Sequence, residues 1–181
     1  VDGDDDGPGI DLDKPTYLSA YGQWTKQSGF ARIAPGASEP QRLVWLESRV
    51  ARLMKAADAE RFAYVAERFD DSPDFFAAGP DLSNPRQISE TNPFQADYAW
   101  GRSELVDYAT PAGDRLQGAL FYPADYEPGR EYPMIVYVYE LRSQMVHGYV
   151  APSERSPYNA SVFTSQGYFV LQPDIIYRDR D

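Results

Sequence analysis

The sequence contains no cysteine, a single histidine and no long hydrophobic run. Without cysteine the chain has no disulfide, no thiolate nucleophile and no sulfur ligand for zinc. Any Ser-His-Asp chemistry inside it would have to use His147, because that mechanism requires an imidazole. No segment approaches the roughly 18 apolar residues of a transmembrane helix. The acidic start, VDGDDDGPG, is unlike a signal peptide. We therefore expect no membrane span, and the cellular compartment stays open.

Basic residues are also scarce. The 181 residues include 17 Lys and Arg against 28 Asp and Glu, which gives a net charge of −11. An acidic surface repels phosphate backbones, so we expect no nucleic-acid partner. Hydrophobic residues make up 43% of the chain, close to the globular average of about 45–50%. The length predicts one domain or two small ones.

Residues 1–100 show short β-type runs separated by turn residues. Residues 44–66 are also rich in Ala, Leu, Glu and Arg, which permits one helix there. Aromatic and β-branched residues at alternating positions favour strands instead, with a hairpin loop at 55–60. The spacing of the runs predicts a sandwich, a barrel or propeller blades. The predicted strands cover residues 16–21, 30–33, 43–46, 50–54, 62–65 and 75–78.

Residues 101–181 differ in pattern. Segments 103–109 and 115–122 flank the turn sequence PAGD and predict a hairpin. Residues 132–139 and 168–173 are apolar and β-rich, and the first of these predicts a strand buried on both faces.

A helix is predicted between these two strands, over residues 156–166. Ser156 is its expected N-cap, Pro157 its first residue and Gly167 its end. Strand, helix and strand form a βαβ unit with parallel strands. Because two such strands do not close a core, we expect the sheet to have further strands outside this sequence.

Several separated motifs follow one another in the second half. WGRSELVDYATPAGDRLQGALFYPADYEPGREYPMIVYVYE is followed by YNASVFTSQGYFVLQPDI. This order of hairpin, Y-P strand ending in Tyr, and G-Y-x-V-x-x-P-D resembles the prolyl oligopeptidase family of serine peptidases. The similarity is to its dipeptidyl-peptidase and acylaminoacyl-peptidase-like branch. Residues 60–95, with a strand followed by S-P-D, resemble a propeller blade of the same proteins.

The resemblance implies a mixed β and α/β fold. Residues 1–100 would be the C-terminal blades of a β-propeller, and residues 101–181 the N-terminal part of an α/β-hydrolase domain. The family cleaves peptide bonds with a serine in a G-x-S-x-G elbow, and this sequence contains no G-x-S-x-G. We therefore expect the chain alone to be inactive and to need no cofactor. Its partners would be the remainder of the hydrolase domain and, in the complete protein, a peptide substrate.

A different class of function stays open at this point. The lack of an internal nucleophile and base also fits a non-catalytic, β-rich binding or interaction module with a degenerate hydrolase-like appendage.

Tyr139 is the one residue to which the resemblance assigns a catalytic role. In the family, the tyrosine that ends the Y-P strand donates its hydroxyl to the oxyanion of the tetrahedral intermediate. Glu140 follows it here, close to where the family has glycine, so the loop geometry departs from the pattern. The alternative is that Tyr139 is an interfacial aromatic residue that caps the strand.

Three other features have weaker interpretations. His147 is expected in a loop, lining a cavity or solvated, because no acidic residue is placed to orient it. Asp2, Asp4 and Asp6 match the start of a calcium loop, but an acidic surface loop or a frayed chain end is the simpler explanation, so we assign no metal site. Asn159 begins an N-glycosylation sequon, to which we assign no role.

Overall fold

The computed structural model describes residues 10–176, which form three β-sheets with few helical segments. The sheets are mostly antiparallel. The calcium hypothesis for Asp2, Asp4 and Asp6 lies outside the described residues. The strands are β1 (Thr16–Tyr21), β2 (Ser28–Ile33), β3 (Gln41–Leu46), β4 (Arg49–Lys55), β5 (Phe62–Arg68), β6 (Asp71–Ala78), β7 (Arg86–Gln87), β8 (Ser103–Ala109), β9 (Arg115–Phe121), β10 (Met134–Val136) and β11 (Phe169–Pro173).

The first two sheets follow chain order. One has the order β1-β2-β3 and the other β4-β5-β6-β7, and every pairing in them is antiparallel. The strand prediction for this half is confirmed, and the single-helix alternative for residues 44–66 is wrong. The predicted hairpin loop is also confirmed, since the Ala56 amide donates to the Arg61 carbonyl at 2.9 Å between β4 and β5.

The third sheet has the order β10-β11-β9-β8. β8 and β9 form the predicted antiparallel hairpin. β10 and β11 are parallel, with helix α1 (Ala160–Ser165) between them in the chain. This confirms the predicted strand–helix–strand unit. β11 also pairs antiparallel with β9, so the sheet is mixed.

The start of α1 differs from the prediction. Asn159, and not Ser156, is the N-cap: its side-chain oxygen accepts from the Val162 amide at 3.1 Å. Residues 154–158 are turns or irregular, and the Tyr158 ring stacks on Tyr137 with centroids 4.6 Å apart. These contacts delay the helix by one turn. Its end at Gly167 is as predicted, because that glycine has a φ of +85°.

The strand predicted over residues 132–139 is shorter and more exposed than expected. Only Met134–Val136 is strand, and the side chains of Met134 and Val136 are 49% and 51% exposed. The prediction of burial on both faces is wrong for the described residues, because no described element covers the face that carries Met134 and Val136. β10 is also an edge strand, paired only with β11.

Two clusters of buried apolar side chains form the core. One lies in the first two sheets: Phe30, Val44, Val50, Phe62, Tyr64, Ala78 and Leu82. The other lies mainly in the third sheet and around α1: Phe69, Ala119, Phe121, Val146, Ala160 and Val170. Phe69 comes from the turn between β5 and β6, and its ring lies 4.6 Å from that of Phe121. The second cluster therefore includes a residue from the first half of the chain.

Within residues 10–176, no helix has the length and apolar character that crossing a membrane requires.

Candidate functional site

The candidate site lies where the chain leaves β10. The Tyr137 amide still bonds to the Leu171 carbonyl of β11 at 2.9 Å, and two residues later the chain has left the sheet. The Tyr139 side chain is 54% exposed. Its hydroxyl makes no hydrogen bond within the described residues. A phenol in this state is free to donate to a ligand.

Glu140, the next residue, has an unusual backbone. Its φ is +31°, in the left-handed region that favours glycine. Its carbonyl accepts from the Ile175 amide at 2.9 Å, just after β11. The departure from glycine noted in the sequence therefore falls on a position whose conformation suits glycine.

Asp174 connects the end of β11 to the same turn. Its carboxylate accepts from the backbone amides of Arg142 and Ser143 at 2.6 and 2.7 Å, and from the Ser143 hydroxyl at 2.6 Å. The residue is only 6% exposed. Sequence analysis did not assign it a role, although it is the Asp of the P-D pair that carried the resemblance. In the sequence, the one indication of a role was that an acidic residue directly follows an apolar strand segment.

His147 lies apart from this turn. It borders a cavity of about 440 Å³ between the two halves, together with Tyr21, Lys26 and Arg49. Burial lowers the pKa of His147; the charge of Glu47 opposes this to a smaller extent, and the charge of Arg68 lowers the pKa further. Its Nε2 is buried without a hydrogen-bond partner in the described chain. The interpretation of His147 as a cavity-lining residue fits this position, and no hydroxyl within residues 10–176 is hydrogen-bonded to its imidazole.

A second cavity, of about 420 Å³, lies in the first half and carries several carboxylates. Burial, and then the charges of Asp70 and Asp74, raise the pKa of Asp71. Asp74 accepts from the Ser89 hydroxyl at 2.6 Å and the Thr91 amide at 2.9 Å. Residues 10–176 contain no group of three or more His, Asp or Glu arranged to hold a metal ion.

The side chain of Asn159 is used in structural hydrogen bonds. Its amide nitrogen donates to the Ala151 carbonyl at 2.8 Å, and the residue is 3% exposed. A glycan on that nitrogen would need space in a closed region. In the folded chain the residue is a buried helix cap.

No protein-family model matches the chain, and no curated protein sequence matches it. Solved structures do. AtxE2 isopeptidase with astexin3-dC4 bound aligns with 94% of this chain at 15% identity and a TM-score of 0.71. Dipeptidyl peptidase 4 from Porphyromonas gingivalis aligns with 92% of this chain at 14% identity and a TM-score of 0.67. Acylaminoacyl peptidase from Pyrococcus horikoshii aligns with 88% of this chain at 12% identity and a TM-score of 0.60.

These alignments cover 25%, 23% and 23% of the three solved chains, so this sequence spans about a quarter of each. At such identities the likeness concerns the fold. The fold of residues 10–176 is thus that of a segment found in three kinds of peptidase.

Proposed function

We propose that this chain is a segment of a serine peptidase of the prolyl oligopeptidase family. The observation that carries the proposal is the exposed hydroxyl of Tyr139 at the end of β10, which makes no hydrogen bond within residues 10–176, in a fold that aligns with AtxE2 isopeptidase over 94% of the chain. In the complete protein a serine outside this sequence attacks the peptide carbonyl. The carbonyl oxygen becomes an oxyanion, and the tetrahedral intermediate then expels the amine.

Tyr139 would serve that oxyanion. Its exposed phenol makes no hydrogen bond to the described residues, so donation to an oxyanion displaces only water, and its backbone is held by β10 and by the turn at Glu140. A donor aimed in advance at the developing charge contributes more to the transition state than to the bound substrate. The catalytic base would come from outside the chain, because His147 borders a different cavity from Tyr139 and is hydrogen-bonded to no hydroxyl of the described residues.

The architecture proposed for the complete protein follows the same division as the sequence. The four-stranded meander β4-β5-β6-β7 fits one blade of a propeller, so residues 1–100 would be C-terminal blades. The mixed sheet fits the start of an α/β-hydrolase domain over residues 101–181.

The remainder of that domain is the proposed partner of β10. Parallel strands are usually buried on both faces, whereas Met134 and Val136 are half exposed here. Further exposed apolar side chains continue past the strand at Val138 and Leu141. A neighbouring parallel strand and a covering helix would bury them. If so, an apolar dye should bind the 181-residue chain and not the longer protein. Equal binding to both would contradict this partner.

The substitution Tyr139→Phe tests the function in a longer protein that includes this chain. Removing one oxyanion donor lowers kcat by about 10²- to 10³-fold. KM should change little, because the bond forms mainly in the transition state. Hydrolysis of aminoacyl- and dipeptidyl-p-nitroanilides provides the measurement.

Tyr98→Phe is the matched control, since Tyr98 is another exposed tyrosine, at 67%, and lies in the first half. It should leave kcat unchanged. An unchanged kcat in Tyr139→Phe would leave Tyr139 as a strand-capping aromatic residue and remove it from catalysis.

A further inference from the structure

Asp174 is held on its backbone side by the hairpin β8–β9. Its amide donates to the Gln117 carbonyl at 2.8 Å, and the Tyr108 hydroxyl donates to its carbonyl. Residues on both strands of the hairpin therefore fix where Asp174 lies. From this fixed backbone, the Asp174 carboxylate reaches the turn after β10.

Among the residues that the structure describes, the carboxylate hydrogen-bonds only to the segment that follows Tyr139. Its three hydrogen bonds reach Arg142 and Ser143, and the Ser143 contact spans 31 residues of sequence. Bonds to an ionised acceptor are about twice as strong as neutral ones. In a buried site they also lack competition from water. Together with the bond from Ile175 to the Glu140 carbonyl, they attach residues 140–143 to the end of β11.

This attachment has a clear consequence for Tyr139. The Tyr139 hydroxyl has no partner in the described chain, so its position depends on the backbone on either side. β10 fixes the preceding side. The following side passes through Glu140, whose positive φ is strained for a residue with a side chain. Without the bonds to Asp174, that turn would be free to relax into more favourable conformations.

We propose that Asp174 is a positioning residue for Tyr139 and thereby sets the oxyanion site. The inference rests on the proposed function, because the site has a reaction to serve only in a peptidase. Asp174 itself touches neither substrate nor the reacting atoms. Its role is geometric: a displacement of about 1 Å in a catalytic group lowers a rate by about 10²-fold.

Asp174→Ala in the longer protein tests the proposal. We expect kcat to fall by about 10²-fold with KM nearly unchanged. The decisive variant combines Asp174→Ala with Tyr139→Phe. If Asp174 acts through Tyr139, the double variant is no slower than Tyr139→Phe alone. Losses that multiply would overturn the proposal, since they would mean that Asp174 acts independently of Tyr139.

Asp74 offers a matched control, because it is also a buried carboxylate with hydrogen bonds to backbone and hydroxyl groups, but lies in the first half. Any loss caused by Asp74→Ala should multiply with that of Tyr139→Phe. Two milder variants cover the case in which Asp174→Ala does not fold. Asp174→Asn keeps an oxygen for the two amides and should recover most of the rate. Ser143→Ala removes one hydrogen bond, and its kcat should lie between those of Asp174→Asn and Asp174→Ala.

A second measurement separates this proposal from the proposed function. In the 181-residue chain, backbone amide exchange at Arg142 and Ser143 should rise in Asp174→Ala and not in Asp74→Ala. If the longer protein proves to have no peptidase activity, the proposed function fails, and with it the catalytic role of Asp174. Faster exchange would then show that Asp174 holds the turn for another purpose. Unchanged exchange would overturn the attachment itself.

Discussion

The two halves of the molecule are built from similar strands but differ in how far apart along the chain their partners lie. In each of the two sheets of the first half, every strand pairs with its neighbour in the chain, always antiparallel. In the second half β10 pairs in parallel with β11 across a helix, and β11 returns to β9. The first arrangement follows from local turns. The second depends on contacts that the chain closes only after a long connection.

The same contrast appears in the two buried carboxylates. Asp74 bonds to Ser89, 15 residues later, in the segment after β7. Asp174 bonds to Ser143 across 31 residues and links two different strand ends. The first carboxylate links neighbouring segments of one sheet, whereas the second links two strand ends beside Tyr139. The proposed oxyanion site therefore lies in the second half.

The largest expected effect concerns Phe69, a residue of the first half that packs in the core of the second. Phe69→Ala removes a ring that is 1% exposed and packs on Phe121. It should lower the free energy of unfolding by about 3–5 kcal/mol. Because Phe69 belongs to the first half but packs in the second core, we expect both halves to lose stability together. Urea unfolding with amide exchange in β5 and β9 measures this.

Phe94→Ala is the control, since that ring is 61% exposed and should change stability by less than about 0.5 kcal/mol. Faster exchange in β9 alone would contradict the prediction and show that the halves unfold independently.

Local hairpins could be predicted from the sequence, whereas contacts between distant segments could not. β1 and β8 were predicted with their observed bounds, because turn residues and alternation encode antiparallel hairpins locally. The exposure of Met134 could not be predicted, because the pattern of an apolar segment does not show whether other elements pack against it. Asp174 was missed for a related reason: its partners lie far away in sequence, and no spacing rule links them.

A smaller effect is expected at the turn after β10. Glu140→Gly relieves the left-handed conformation, which costs about 1–2 kcal/mol for a residue with a Cβ. The gain is partly offset by the greater freedom of glycine in the unfolded chain. We expect a net stabilisation of up to about 1 kcal/mol in thermal or urea unfolding.

Glu131→Gly is the matched control, because Glu131 is an exposed loop residue without a positive φ. It should destabilise the chain by about 0.4–1 kcal/mol. If both substitutions lowered stability equally, the turn at Glu140 would not be strained.

The smallest effect is expected at His147, in the cavity between the halves. Burial lowers the pKa of His147 in the folded chain, so below pH of about 6.5 the unfolded chain binds a proton that the folded chain does not. Stability should therefore fall as the pH drops from about 6.5 toward the lowered pKa. His147→Gln removes this contribution.

Urea unfolding at several pH values between 5 and 7 measures the slope for both chains. The unsubstituted chain should lose more stability on acidification than His147→Gln. Equal slopes would indicate that His147 takes up its proton as easily in the folded chain as in the unfolded one.

The central claim, that this fold belongs to a serine peptidase, is tested most directly by fluorophosphonate labelling followed by intact-mass spectrometry. The longer protein and the 181-residue chain are treated side by side. We predict one label on the longer protein, at a serine in a G-x-S-x-G sequence after residue 181, and no label on the chain itself. A longer protein that stays unlabelled while folded would contradict the account and favour a non-catalytic module.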